Sequence, residues 1–201
     1  MARSSQQPVK HESAIVLLLI DFINDLEFTG GDELVRYALP AARNVARLKA
    51  AAKQRNVSCL YVNDNFEQWR SNFKLLVNSC VNGRVRGTPV AKLLTPDRDD
   101  YFVLKPMHSG FFQTPLELLL MQLKAKRLVL CGLTTDSCVL FTANDAYLRR
   151  FELVIPSDCS AALTPQRHQT ALGQMRRTLH AKTPLAKDID FNALAHAPAR
   201  E

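Results

Sequence analysis

The sequence lacks the features of a membrane protein or of a small secreted protein held by disulfides. Its 201 residues contain no apolar run of the roughly 18 residues that a membrane-spanning helix needs. Its five cysteines are dispersed and form no CxxC pair, so reduced thiols are expected. The first 13 residues contain no apolar stretch of signal-peptide type. We therefore expect residues 1–13 to be a flexible arm and the protein to be cytoplasmic.

Patterns typical of zinc sites and of nucleic-acid binding are also missing. The five histidines show neither HxH nor HxxxH spacing. The formal net charge is +7, but lysine and arginine are spread along the chain and are not interleaved with aromatic residues. The basic residues therefore indicate solvated helix faces, and neither nucleic acid nor a membrane is predicted as a partner.

The chain does contain a regular alternation of apolar runs and helical patterns. The runs that predict strands are "AIVLLLI", "VSCLYVN", "YFVLK", "RLVLCG" and "FELVIP", with "AKTPL" as a candidate for the last strand. Pro40 is expected in the first turn of the first long helix. Strands that are apolar throughout, rather than alternating, are typical of a parallel sheet covered on both faces. The sequence therefore predicts a three-layer α/β/α fold with an open, doubly wound, mostly parallel six-stranded sheet over residues 14–187, followed by a loose tail, residues 188–201.

Three reactive side chains lie where predicted strands end. Asp21 follows "AIVLLLI", Lys105 ends "YFVLK", and Cys138 follows the turn after "RLVLCG". Ligands bind at the carboxyl ends of the strands in folds of this kind. Asp21 alone is compatible with a loop cap and Lys105 alone with a surface cation, but in one buried site their charges would compensate each other.

The two cysteines of "CGLTTDSC" are predicted to differ. Cys131 lies within a strand and is expected to be a buried apolar residue. Cys138 opens a helix that Thr135 or Asp136 can cap, and a helix start lowers the pKa of a thiol. Spacing leaves two interpretations of Cys138 open. It is either a packed first-turn residue or a nucleophile whose proton passes to a nearby carboxylate such as Asp21.

Three features of the sequence carry a resemblance to a known family: an aspartate after the first strand, a lysine before "HSGFF", and the segment "GLTTDSCVLFTANDAYLRRFELVIPSDCSA". In these features the sequence resembles the isochorismatase-like cysteine hydrolases. That family includes nicotinamidases and N-carbamoylsarcosine amidases, and the resemblance covers about residues 14–179. It implies a catalytic triad of Asp21, Lys105 and Cys138. It also implies a cis peptide bond between Leu133 and Thr134, an oxyanion hole made by the N–H groups of Thr134 and Cys138, and a homodimer or homotetramer.

One departure from the family pattern bears on the substrate. Nicotinamidases carry a D-x-H metal motif after the second strand, whereas this chain has "YVNDNFEQW" there, without histidine. We therefore expect no catalytic metal and no cofactor, and nicotinamide becomes a less favoured substrate. The substrate is expected to be a small molecule, with candidate contacts from Phe22, Asn63, Asp64, Trp69, Phe111 and Leu133.

The sequence thus favours a metal-independent cysteine hydrolase that cleaves a C–N bond of a small amide or ureide. Two alternatives stay open. One is an enol-ether hydrolase of the isochorismatase type, and the other is a non-catalytic binding protein on the same fold. A redox pair of Cys131 and Cys138 is disfavoured, because one cysteine lies inside a strand and the other beyond a loop.

Overall fold

The structure is a computed structural model that describes residues 12–65 and 72–196. Its sheet is parallel, with the strand order β3-β2-β1-β4-β5 and with β6 paired to β4. The strands are β1 (Ile15–Ile20), β2 (Ser58–Asp64), β3 (Tyr101–Lys105), β4 (Arg127–Leu133), β5 (Glu152–Val154) and β6 (Ser160–Ala161). The predicted open, doubly wound α/β/α fold is confirmed.

Helices cover both faces of this sheet. They are α1 (Gly31–Gln54), α2 (Phe73–Asn82), α3 (Thr88–Leu93), α4 (Leu116–Gln122), α5 (Leu140–Leu148), α6 (Pro165–Thr178) and α7 (Phe191–His196). A π-helical turn, Thr135–Val139, precedes α5, and a 3-10 turn, Ala186–Asp188, precedes α7. No helix within the described ranges is long and apolar enough to cross a membrane.

The apolar runs form strands because each strand is buried on both faces. In β1, Leu17 and Leu19 belong to one core with α1, whereas Val16 and Leu18 belong to a second core with α4, α5 and α6. All six residues of β1 are buried. The continuous apolar pattern follows directly from this two-sided burial.

The first helix starts earlier than the sequence indicates. It begins at Gly31, so Pro40 lies inside it rather than in its first turn. Proline lacks the N–H that the helix interior would use, which normally disfavours this position. Here Pro40 is exposed, and its neighbours Ala38, Ala41 and Ala42 are buried against the sheet. Packing of that face outweighs the missing hydrogen bond.

The sixth strand is also not the predicted one. The segment "AKTPL" makes a single bridge, from Lys182 to Val154. Instead Ser160 and Ala161 pair with Gly132 and Leu133 at the end of β4, and the Ser160 hydroxyl accepts a hydrogen bond from the Gly132 N–H at 3.0 Å. A proline in "AKTPL" removes a donor that a longer ladder would need.

The two ends of the domain extend further than predicted. Phe191, at the start of α7, is 4% exposed and belongs to the α1-side core, so residues 188–196 are not a loose tail. Ser13 is buried, and its N–H donates to the Leu123 carbonyl at 2.7 Å. Residues 1–11 of the predicted arm lie outside the described residues.

Candidate active site

The parallel sheet brings three chain segments to one edge. Asp21 is the first residue after β1, and its N–H donates to the Val62 carbonyl of β2 at 2.9 Å. Lys105 is the last residue of β3 and pairs in register with Asp64 of β2. Cys138 lies in the π-helical turn that follows β4, the other neighbour of β1. The strand order therefore brings polar residues from distant segments of the chain to the same edge of the sheet.

Asp21, Lys105 and Cys138 lie in mutual contact. The Lys105 ammonium lies 2.8 Å from Asp21 Oδ2 and 3.5 Å from Cys138 Sγ. The Cys138 thiol and the Asp21 carboxylate are close enough that each affects the pKa of the other. Lys105 is fully buried and Asp21 is 4% exposed, whereas Cys138 is only half-buried. The sulfur is therefore the member of this cluster that a solute can approach.

Asp64 supports this cluster rather than standing apart from it. Its backbone N–H donates to Asp21 Oδ1 at 2.7 Å, and its carboxylate lies 3.3 Å from the Lys105 ammonium. Each Asp21 oxygen therefore has a fixed partner, which orients the carboxylate. The sequence indicated Asp64 as a substrate contact, and the structure gives it this positioning role.

Burial and the neighbouring charge have opposite effects on the pKa of Asp21, and likewise on the pKa of Lys105. Burial raises the pKa of the Asp21 carboxyl above its usual 3.8, and the positive charge of Lys105 opposes that rise. Burial by itself would lower the pKa of Lys105, but the negative charge of Asp21 and its hydrogen bond to the ammonium group contribute to raising that pKa above its usual value. Lys105 is therefore a lasting cation, and Asp21 is a stronger base than an exposed carboxylate.

The expected low thiol pKa at Cys138 is wrong. Burial, together with the negative charge of Asp21, raises the pKa of Cys138 to about 12, and Lys105 opposes this only in part. The turn that carries Cys138 is π-helical, and no side chain caps its start. The raised pKa favours the neutral thiol of Cys138, and the Asp21 carboxylate is the base beside it.

The turn before Cys138 has an uncommon backbone. The peptide bond between Leu133 and Thr134 is cis, at the position that the resemblance implied. The Thr134 carbonyl accepts from the N–H groups of Ser137 and Val139 at 3.1 and 3.2 Å. The oxyanion hole formed by the N–H groups of Thr134 and Cys138 stays a prediction.

Most of the other predicted substrate contacts are buried. Phe22, Phe111 and Leu133 are 0%, 5% and 2% exposed and pack in the two cores. Asn63 is fully buried, and its amide donates to the Ile23 carbonyl at 2.9 Å, which fixes the loop after β1. These four side chains support the site from beneath rather than line an open pocket. Trp69 lies outside the described residues.

The exposed side chains beside the sulfur were not singled out in the sequence. His108 Nδ1 lies 4.0 Å from Cys138 Sγ, and the His108 ring packs against Phe141 with centroids 5.5 Å apart. Phe141 is about half exposed. Two features of the sequence could have indicated these side chains. Phe141 follows Cys138 at helical spacing, and His108 begins the segment "HSGFF". The exposed Phe141 ring gives the surface next to His108 an apolar character.

The loop that carries His108 is anchored to α5. The Ser109 hydroxyl donates to Asp145 Oδ2 at 2.5 Å, and the Gly110 N–H donates to the Thr142 hydroxyl at 3.0 Å. Thr142 and Asp145 are the threonine and the aspartate of "TANDA". These motif residues therefore hold a loop beside the sulfur and do not contact it themselves.

Replacing Asp145 with alanine is expected to lower kcat about tenfold, because it leaves a buried Ser109 hydroxyl without its acceptor and releases the His108 loop. Asp145→Asn is the matched control, since its amide oxygen can still accept and the loss should stay within about threefold. Steady-state kinetics and thermal melting of both variants measure the effect. Equal losses in the two variants would contradict the anchoring role.

Within the described residues, one group of carboxylates lies close enough together for a metal ion, formed by Asp97, Asp99 and Asp100. The Lys49 ammonium lies 2.9 Å from Asp97 and 2.6 Å from Asp100, and Lys53 lies 2.8 Å from Asp99. These two ammonium groups offset two of the three negative charges, and each carboxylate has an ion-pair partner. The cluster is therefore accounted for by ion pairs.

Fold and site together define an α/β protein with a thiol, a carboxylate and an ammonium group at the carboxyl edge of its sheet. The chain belongs to the isochorismatase family, because residues 15–184 match the Isochorismatase domain. It is 34% identical to an uncharacterised isochorismatase family protein, YaaI of Bacillus subtilis, over 86% of this chain and 94% of that protein. The chain is therefore a hydrolase of the isochorismatase family.

Other relatives cover most of the chain at lower identity. A probable inactive nicotinamidase of Arabidopsis thaliana is 28% identical over 84% of this chain and 90% of its own length. The ureidoacrylate amidohydrolase RutB of Methylorubrum extorquens is 25% identical, over 79% of this chain and 75% of its own length.

Solved structures show the same fold. N-carbamoylsarcosine amidase of Thermoplasma acidophilum superposes with a TM-score of 0.67 at 22% identity, over 88% of this chain and 98% of that chain. An isochorismatase family protein of Desulfovibrio vulgaris reaches a TM-score of 0.74 at 21% identity, over 92% of this chain and 100% of that chain. At these identities the likeness concerns the fold.

Proposed function

We propose that the protein is a metal-independent cysteine hydrolase that cleaves the C–N bond of a small amide or ureide. One observation carries the proposal. The half-buried Cys138 sulfur lies 3.5 Å from the Lys105 ammonium, which itself lies 2.8 Å from the buried Asp21 carboxylate. A thiol, a base and a fixed cation in contact are the groups that thiol-based acyl transfer needs.

The proposed reaction starts with proton transfer from the Cys138 thiol to Asp21. The sulfur then attacks the substrate carbonyl carbon, and Lys105 together with the predicted N–H groups of Thr134 and Cys138 stabilises the negative charge that develops. The C–N bond breaks as Asp21 returns the proton to the leaving nitrogen. Water, deprotonated by Asp21, hydrolyses the thioester, which releases the acid and restores the thiol.

The high thiol pKa fits this sequence of steps. A neutral Cys138 avoids two neighbouring anions in the buried site before substrate binds, because Asp21 already carries one negative charge. Proton transfer from the Cys138 thiol to the Asp21 carboxylate conserves the net charge of the site. Lys105 stays a cation throughout and offsets one negative charge at every stage.

Two relatives bear on the reaction and point in different directions. RutB is named as a ureidoacrylate amidohydrolase, which supports a C–N substrate. The Arabidopsis protein is named as a probable inactive nicotinamidase. Membership of the fold and the family therefore does not by itself show that a protein is catalytically active. The support for catalysis is therefore the contact geometry of Asp21, Lys105 and Cys138.

A substrate panel tests the proposal directly. Purified protein is incubated with primary amides, ureides and isochorismate, with ammonia release measured for the first two and enol-ether cleavage for the third. We expect ammonia release from an amide or ureide, and a mass increase on Cys138 when the reaction is acid-quenched. Cleavage of isochorismate alone would favour the enol-ether alternative, and no turnover of any compound would favour a binding protein.

Metal independence gives a separate prediction. Prolonged treatment with EDTA, followed by desalting, is expected to leave kcat unchanged, because the reacting groups of the proposed site are a thiol, a carboxylate and an ammonium group. Metal analysis of the treated sample confirms removal. A loss of activity that added zinc, manganese or iron restores would contradict a metal-independent reaction.

A further inference from the structure

A side-chain bridge joins α6 to the turn that carries Cys138. Thr135 is fully buried, and its hydroxyl oxygen lies 2.8 Å from His168 Nδ1 on α6. The other ring nitrogen, His168 Nε2, lies 3.0 Å from the Ser157 carbonyl oxygen in the loop before β6. The imidazole therefore links the turn after β4 to the loop after β5.

The partners fix where the protons lie. A carbonyl oxygen only accepts, so His168 Nε2 carries the hydrogen and donates it to Ser157. In a neutral imidazole the other nitrogen then accepts, so the Thr135 hydroxyl donates to Nδ1. Burial lowers the pKa of His168, although the Ser157 carbonyl and the charge of Asp136 oppose this, and the neutral ring is favoured.

The neighbouring residue on α6 makes a second link to the same turn. Arg167 Nε lies 2.5 Å from Asp136 Oδ2. Two consecutive residues of α6 thus hold two consecutive residues of the turn. The arginine is more than half exposed, so its ion pair contributes little, whereas the bond to the buried Thr135 hydroxyl is the stronger constraint.

We propose that His168 is a positioning residue for catalysis, acting through Thr135 to hold the N–H groups of Thr134 and Cys138 where the oxyanion forms. The inference rests on the proposed cysteine-hydrolase function. Stabilisation of an oxyanion needs donors that are fixed before the reaction. Thr135 lies between those two donors in the chain, and its hydroxyl can point in only one direction while His168 accepts from it.

Two amide substitutions at His168 separate the two hydrogen bonds. Asn places an oxygen near the position of Nδ1, so His168→Asn keeps the acceptor for Thr135. Gln places a nitrogen near the position of Nε2, so His168→Gln keeps the donor to Ser157 and loses the acceptor. We expect His168→Gln to lower kcat about 10- to 100-fold with KM changed less than threefold, and His168→Asn to stay within about threefold.

Matched substitutions at Thr135 test the same bond from its other end. Thr135→Val removes the hydroxyl at equal volume and should match His168→Gln, whereas Thr135→Ser keeps the hydroxyl and should stay near the wild-type kcat. The double variant Thr135→Val/His168→Gln should lose no more than either single variant, since both remove one interaction. Equal losses for Asn and Gln at His168, or additive losses in the double variant, would overturn the proposal.

A spectroscopic readout keeps this inference separate from the proposed function. Nitrogen-15 NMR of the wild-type protein should show His168 as the neutral tautomer protonated at Nε2, and Thr135→Val should shift the Nδ1 resonance. Protonation at Nδ1 in the wild type would overturn the bridge whatever the activity. If instead the NMR agrees and Cys138→Ala retains full turnover, the bridge stands as structure, but the hydrolase mechanism and the catalytic role of His168 both fail.

Discussion

Replacing Cys138 with alanine is expected to lower kcat by at least about 10⁴-fold, because the substitution removes the atom that would form the covalent intermediate. The Asp21–Lys105 pair remains, at 2.8 Å, so the folded site should persist without its nucleophile. Ammonia release under saturating substrate measures the loss. Cys138→Ser, which keeps a hydroxyl in place, should lose nearly as much.

Cys131→Ala is the matched control. Cys131 lies in β4, is fully buried and packs in the core with α1, so its removal leaves a small cavity and no change at the sulfur of Cys138. We expect kcat within about threefold of the wild type and a loss of about 1 kcal/mol in unfolding free energy. Equal activity of Cys138→Ala and Cys131→Ala would refute a thiol nucleophile.

Replacing Asp21 with asparagine is expected to lower turnover and, at the same time, to make the Cys138 thiol easier to deprotonate. Turnover should fall about 10²- to 10⁴-fold, because no base remains to take the thiol proton. The pKa of Cys138 should nevertheless fall, since the negative charge of Asp21 is one of the causes that raise it, and Lys105 is left to stabilise the thiolate. A more reactive thiol with less turnover is a combination that simple loss of structure does not produce.

The alkylation rate against pH measures this directly. In the wild type, iodoacetamide labelling of Cys138 should rise about tenfold per pH unit up to high pH, because the thiolate is the reactive form and the thiol pKa is about 12. Asp21→Asn should shift this profile to lower pH, and Lys105→Met, which removes the opposing cation, should shift it to higher pH. The other four cysteines are buried, so labelling of the folded protein reports Cys138. An upward shift in Asp21→Asn would contradict the electrostatic account.

Much of the site was predictable because parallel strands have a simple geometry. Every strand of such a sheet ends at the same edge, so a polar residue directly after an apolar run is placed there by the chain itself. Asp21 and Lys105 were placed in this way, and Cys138 by the turn that follows the fourth strand. Asp64 was predicted as a substrate contact, but its contact with Lys105 at 3.3 Å was not, because that contact depends on the register of β2 with β3.

The misjudged features share one cause. The pKa of Cys138, the burial of Phe22 and the position of Pro40 inside α1 all depend on neighbours that are distant in the chain. A local pattern reports propensity and periodicity, but it does not report how far a group is removed from water. For the thiol, burial and the charge of Asp21 raise the pKa.

The sequence by itself determined the strand and helix alternation, the family pattern and the three reactive residues, because these are properties of local composition and order. The tertiary structure alone decided that the thiol rests protonated, that Asp64 orients the base, and that His168 bonds to Thr135. Each of these depends on desolvation or on a hydrogen bond between residues far apart in the chain. Such interactions exist only once the sheet and its helices have packed.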